Sequence, residues 1–264
     1  MFCCATVRSR SRVRSEKNLQ SKVTYLPYPY TFAAALLLAS VYVFGHRLRF
    51  KSHQRWWVSI AGGVSVSTIF IDLLPEISER QAKFLSGAYQ GQALFPEQAI
   101  YLAALMGFVL FYGLEYLMAV SVSAEGKPGG VFSLFRITAF AGYSSLIAYL
   151  LVHEVWDGVR SLVLYALAMA FHLLIVDYSL SSEHYGLYES HGRWILSVAV
   201  LAGWAAGVFT SIPEQWLARI TGFVSGGVIM NTLVVELPEG RGGRFWAFVL
   251  AAAAYTLVLI IVLG

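Results

Sequence analysis

The sequence predicts an all-α polytopic membrane protein with eight transmembrane helices. Three observations predict it. Of 264 residues, 58% are hydrophobic and 13% charged, against about 45–50% apolar and about 25% charged in soluble domains. Apolar stretches near the roughly 20 residues that cross a bilayer recur along the chain with short connections. Six of the seven tryptophans, Trp56, Trp57, Trp156, Trp194, Trp216 and Trp246, fall at the ends of those stretches, where interfacial anchors sit. With a mean hydropathy of +0.64, the composition excludes a soluble enzyme or a nucleic-acid binder. The net charge of +4 needs no nucleic acid to explain it.

The spans read Tyr28–Phe44, Trp57–Leu74, Gln98–Val122, Ser133–Val155, Ser161–Leu180, Trp194–Ser211, Ala218–Leu237 and Phe245–Gly264. Pro27 and Pro29 precede span 1. Pro96 opens span 3, where a missing N–H is harmless. Gly126, Pro128, Gly129 and Gly130 mark the loop before span 4. Trp204 alone among the tryptophans lies mid-span. Two segments follow: a basic tail over 1–24, expected to be disordered, and an eight-helix transmembrane domain over 25–264. The tail carries Arg8, Arg10, Arg12, Arg14, Lys17 and Lys22, the composition of a targeting segment or a basic arm. Cys3 and Cys4, the only cysteines, are adjacent, which excludes a disulfide framework or thiolate metal site.

Odd-numbered loops hold Arg47, Arg49, Lys51, Arg55, Lys127, Arg136, Arg193, Arg241 and Arg244. Even-numbered loops hold Arg80, Lys83, Arg160 and Arg219. The bias places the odd loops in the cytoplasm and both termini outside, against the pull of the basic tail.

Two stretches repeat. Gly62-Gly63-Val64 leads to Asp72-Leu73-Leu74-Pro75-Glu76, and Gly226-Gly227-Val228 leads to Glu236-Leu237-Pro238-Glu239. Nine residues run from the second glycine to the first acid in both, with one residue fewer in the second ending. The two stretches lie in spans of opposite direction, so the match implies an inverted repeat, spans 1–3 against 6–8, in a 3+2+3 layout. Many secondary transporters are built this way. The acid-Pro-acid endings then stand at opposite mouths. Gly203/Gly207 and Gly222/Gly226 have the four-residue spacing that lets helices approach closely.

The pattern resembles the ZIP family of zinc and iron transporters. The residues that carry the resemblance are the eight-span layout with outward termini, GGVSVSTIFIDLLPE (62–76), GFVSGGVIMNTLVVELPE (222–239), FTSIPEQW (209–216) and GFVLFYGLEYL (107–117). It implies an eight-helix transporter that carries a divalent metal as substrate, with no cofactor and no enzymatic step. That family's span-4 motif, His-Asn-x-x-Asp, has no counterpart in Ala141–Ile147. His172 falls where the family's span-5 histidine would be, but Leu173 follows it in place of a glutamate. The string His153-Glu154-Val155-Trp156-Asp157-Gly158 mimics the span-4 motif. It lies at the end of the span, only 19 residues before His172, and reads as an outer loop.

An ionisable residue inside a membrane is a functional candidate by default. His172 leads, since neutral imidazole binds divalent metal or relays a proton; a hydrogen bond to a neighbouring helix is the plainer reading. Asp177 lies about 140° around the same helix, so the two cannot share one metal. Asp72 and Glu76 share a helix face if Pro75 does not break it, and paired carboxylates at a mouth attract divalent cations. Glu236 and Glu239 mirror them. The plainer reading is a helix end with solvated acids. Asn231, Ser67, Tyr143 and Ser144 are pathway-lining candidates, with Ser65 and Ser145 alongside. Glu183, His184, Glu189 and His191 read as a solvated loop. Glu115 calls for a basic partner, Arg136 being one at the same membrane face.

The leading expectation is a gradient-driven, ZIP-like transporter of a divalent cation. Its path runs past Asp72/Glu76, His172 and Glu236/Glu239, in contact with the lipid bilayer, and homodimerisation is left open. No GxxxxGK[ST] string offers ATP binding. The competing reading is a diverged ZIP-like protein that moves another small solute or acts as a scaffold. A third, an intramembrane zinc hydrolase on His153, His172, Asp177 and His184, needs three ligands to converge from both faces.

Overall fold

The computed structural model describes residues 27–45, 54–86, 96–125, 130–154, 156, 158–183, 188–233 and 245–263. The basic tail with Cys3 and Cys4, the loop residues Asp157 and His184, and the second acid pair Glu236 and Glu239 lie outside them. The described residues are all-helical, without strands. They comprise α1 (Tyr28–Phe44), α2 (Gln54–Thr68), α3 (Leu74–Ser86), α4 (Ala99–Glu125), α5 (Gly130–His153), α6 (Val159–Glu183), α7 (Arg193–Phe209), α8 (Glu214–Asn231) and α9 (Phe245–Leu263). A 3-10 turn, Pro96–Gln98, leads into α4, and a π-helical turn, Tyr188–Gly192, leads into α7. Five stretches are long and apolar enough to cross a membrane: Ser59–Leu85, Ala99–Ser121, Phe132–His153, Val159–Ser181 and Ser190–Phe209. The helices Tyr28–Phe44 and Phe245–Ile261 are shorter and apolar. The chain is thus consistent with a multi-pass integral membrane protein.

The second span does not end at Leu-Pro-Glu as one reading of that string expects. A π-helical turn, Ile69–Leu73, joins α2 to α3, and α3 runs on to Ser86. Pro75 has no N–H and crowds the preceding turn of a regular helix. The wider π turn, in which the Leu74 N–H reaches the Ile69 carbonyl, lets the helix carry the proline onward. Helix α8 enters the same kind of turn at Thr232 and Leu233, where the repeated string places it.

Five helices pack together at the centre. Helix α7 packs on α5 and α1, α1 packs also on α6, and α2 packs on α6. At the periphery α4 lies along α8 and α9 lies along α2. Helices α5 and α6, though consecutive, share few direct contacts. Helix α4 turns Leu105, Met106, Val109 and Leu110 outward, and α9 turns out Trp246, Leu250 and Ile261. Such surface is ordinary for side chains bathed in lipid tails.

Glycines set the closest approaches, as their spacing predicts. A Cβ on Gly226 would collide with the backbone of Ala104 on α4, and one on Gly203 with the backbone of Ser145 on α5. Gly63 sits against the carbonyl of Phe248 on α9, and Gly107 against that of Phe223 on α8. Gly207 and Gly222 meet Tyr149/Val152 and Ile100 in the same manner. Gly113 has nothing within 4 Å of its Cβ position. Gly226→Val is therefore expected to cost about 3 kcal/mol or more, since the neighbouring backbone cannot yield. Gly113→Ala is expected to be neutral or stabilising by up to about 1 kcal/mol. Thermal unfolding of the detergent-solubilised variants checks both.

Candidate functional site

One cavity of about 1100 Å³ opens among the Ile69–Leu73 turn, α3, α5, α6, α8 and α9. Its wall includes Asp72 from the π turn, Glu76 and Arg80 from α3, Glu154 from the end of α5, and Tyr165 and Met169 from α6. Ser225 and Val228 come from α8 and Tyr255 from α9. Asp72 and Glu76 do come together on one wall, because the helix carries through Pro75.

Arg80 organises the polar side. Its Nη2 donates to Glu76 Oε1 at 2.7 Å and its Nε to the same oxygen at 2.9 Å. The Nη2 group also pairs with Glu154. The guanidinium thus ties α3 to the end of α5. Glu154 is therefore no solvated loop residue, contrary to the outer-loop reading of 153–158. Trp156 is likewise buried rather than an interfacial anchor; its indole N–H donates to the Leu151 carbonyl at 3.1 Å. The His153 ring stacks on Tyr149 at 4.5 Å. Its Nε2 lies 3.1 Å from the Thr210 carbonyl, which only accepts, so that nitrogen carries its hydrogen.

Tyr143 and His172 pack beyond the cavity and do not line it. The Tyr143 hydroxyl and His172 Nε2 are 3.0 Å apart, joining α5 to α6. His172 is 1% exposed. The Tyr143 ring meets Phe111 at 4.8 Å, and both rings press on the face of Gly227, where any side chain would collide with them. This aromatic layer lies between His172 and α8.

The remaining candidates are placed singly. Asp177 is buried: it accepts from the Tyr188 hydroxyl at 2.5 Å, and its other oxygen lies against Gly45. It fastens the π turn before α7 to α6 and does not join His172. Ser67 donates to the carbonyls of Gly63 and Ala252, both at 2.9 Å, clamping α2 to α9. Ser144 and Tyr42 share a 2.8 Å hydrogen bond between α5 and α1. Asn231 Nδ2, Thr232 Oγ1, Ser65 Oγ and Gln215 Oε1 are buried without a hydrogen-bond partner among the described residues. His191 contacts Ser190 at 2.8 Å.

Glu115 pairs with Arg136, as the sequence suggests. Arg136 is 1% exposed and donates also to Ser179 at 2.9 Å, tying α4, α5 and α6. Arg136 and Glu154 are 18 residues apart, roughly 27 Å along α5. The two ionic groups therefore stand at opposite ends of that helix, and the cavity reaches one of them. Among the described residues, no three of His, Cys, Asp and Glu converge as a metal centre.

No protein family, curated protein or solved structure matches the chain.

Sequence reasoning missed Glu154, Arg80 and Tyr165. A signal was present: Glu76 and Arg80 are four apart, the spacing of a helical ion pair, which points to helix beyond Pro75. For the buried pair at the other end, Glu115→Leu is expected to cost about 3–5 kcal/mol by stripping Arg136 of its carboxylate. The double replacement Glu115→Leu/Arg136→Met is expected to recover most of that loss. Thermal melts of the single and double variants check it.

Proposed function

We propose that this chain is a gradient-driven membrane transporter of a divalent cation, ZIP-like in frame. It would take its cargo from the cavity bounded by Asp72, Glu76 and Glu154. The observation that carries the reading is an exchange of helix partners around α5 and α6. If α1, α2–α3 and α4 correspond to α7, α8 and α9, the contact of α2 with α9 has its mate in α8 with α4. The contact of α6 with α1 has its mate in α5 with α7, and α1 with α7 maps onto itself. Each Gly-Gly pair has a member at its contact: Gly63 meets α9, and in the second pair Gly226 meets the α4 backbone and Gly227 the Phe111 ring of α4. The π turns recur at matching places. These exchanges support an inverted 3+2+3 repeat, the frame on which many secondary transporters rock between two faces.

In this reading all eight helices span the bilayer, and the cavity is a vestibule open at one face. The Tyr143–His172 pair is the mid-membrane barrier beyond it, and the Glu115–Arg136–Ser179 group holds the far end shut. Glu236 and Glu239 would mark the opposite mouth.

A second reading is favoured by the partners of the two buried candidates. Tyr143 takes His172 Nε2, and Tyr188 takes Asp177. A chain whose interior ligands serve helix packing would keep the ZIP-like frame and carry a different small solute. A hydrolytic zinc site is poorly served, since His153 faces Thr210 and His172 faces Tyr143.

Uptake of labelled zinc, manganese, iron, cobalt and nickel into proteoliposomes separates the readings. The expected result is metal-dependent uptake that falls at least about tenfold in His172→Ala, as when a needed polar partner is lost. Absence of uptake for every metal, with correctly inserted protein, would favour the second reading.

A further inference from the structure

Arg80 bridges Glu76 and Glu154, Lys83 pairs with Glu79, and Arg136 pairs with Glu115. Arg219, in the second turn of α8, is treated differently. Among the described residues no carboxylate lies within ion-pair distance of its guanidinium. Glu214, at the start of α8, and Glu97, in the turn that leads into α4, are both exposed and not paired with it. The half-buried guanidinium is held by rings instead. It lies 4.7 Å from the centroid of Trp216, one turn earlier on α8, and 5.6 Å from that of Phe84, near the end of α3. Ring faces attract the charge but offer no oxygen to its N–H groups. The donor fork therefore has no oxygen acceptor among the described residues.

The surroundings are those of a bilayer boundary. Trp216 is exposed near the Pro213 cap of α8, as an interfacial tryptophan is. Gly222, next on the same helix face, lies against Ile100, near the start of the apolar stretch Ala99–Ser121. From there the outer surface of α4 is apolar, with Tyr101, Leu102 and Leu105 turned out. A cation without an acid, at the end of an apolar face, matches a molecule with an anionic head and hydrocarbon tails. Guanidinium takes phosphate oxygens two at a time, and basic side chains near a bilayer surface attract anionic lipid. Free phosphate shares the headgroup chemistry but brings nothing to the apolar face.

We infer that Arg219, framed by Trp216 and Phe84, is a headgroup site for an anionic phospholipid where α3, α4 and α8 meet. The inference goes beyond transport and holds whatever solute the chain moves. Phe84 also lines the cavity, so the headgroup is one ring away from that space.

The test is a lipid titration of the purified full-length chain in detergent. Phosphatidylglycerol or phosphatidylcholine is added, and retained lipid is counted by native mass spectrometry. The native chain is expected to hold one phosphatidylglycerol about fivefold more tightly than phosphatidylcholine, the scale of one basic residue at an anionic surface. Arg219→Gln should erase that preference and leave phosphatidylcholine binding unchanged. Arg160→Gln, which removes an exposed arginine at the start of α6, should leave the preference intact. Millimolar inorganic phosphate should not displace phosphatidylglycerol. Equal retention of the two lipids by the native chain would overturn the proposal. So would a preference that survives Arg219→Gln in a protein that melts cooperatively, or one that falls equally in Arg160→Gln. Displacement by inorganic phosphate would also overturn it, by showing an anion site that needs no lipid. If Arg219→Gln does not fold, Trp216→Leu decides, since that side chain is exposed. A reduced preference then supports the framed site, and an unchanged one overturns it.

Discussion

Helices in lipid gain little by hiding apolar side chains from tails that are equally apolar. What holds such a bundle is close backbone contact and a few buried polar bonds. This chain uses both. Glycine lets α8 lie on α4, α7 on α5, and α2 on α9. Where no glycine contact joins them, α5 and α6 are tied by Tyr143 to His172 and by Arg136 to Ser179. Both ties are needed, because these consecutive helices otherwise share few contacts. The cavity lies toward the other end of this pair. The space that supports a functional reading is therefore a result of how sparsely two neighbours are bonded.

Much of this was legible in the residues. The apolar runs located the helices, and the four-residue glycine spacing located the tight contacts. Glu115 and Arg136 were paired correctly because a buried charge in a membrane must find a partner close to its own depth. Tyr143 and His172 were each recognised as polar groups in mid-span, but their pairing was not. The partner of a polar side chain across two helices depends on rotation about both axes, and neither helix has a polar stripe sharp enough to fix it.

The mouth of the cavity was the least legible part. Pro75 suggested a helix end, so Arg80 was read as a loop charge that helped to orient the chain. With α3 continuing instead, the same arginine lies inside and Glu154 is drawn in with it. The cause is local and physical. A π turn accommodates a proline that a regular helix would not, and nothing in the composition of Ile69–Leu73 announces such a turn. One backbone irregularity of five residues thus separates a solvated loop from a charged site.

The same irregularity has a mechanical consequence. Because the helix does not stop at Pro75, Arg80 rides on a rod whose other half is clamped to α9 through Ser67 and Gly63. A rod pinned along one half acts as a lever: whatever pulls Arg80 away from Glu154 also loads the contact with α9. The wider turn at Ile69–Leu73 is the compliant point at which that load is taken up or passed on. A displacement at the mouth of the cavity is then passed to the opposite side of the bundle, where α9 turns its exposed apolar side chains outward.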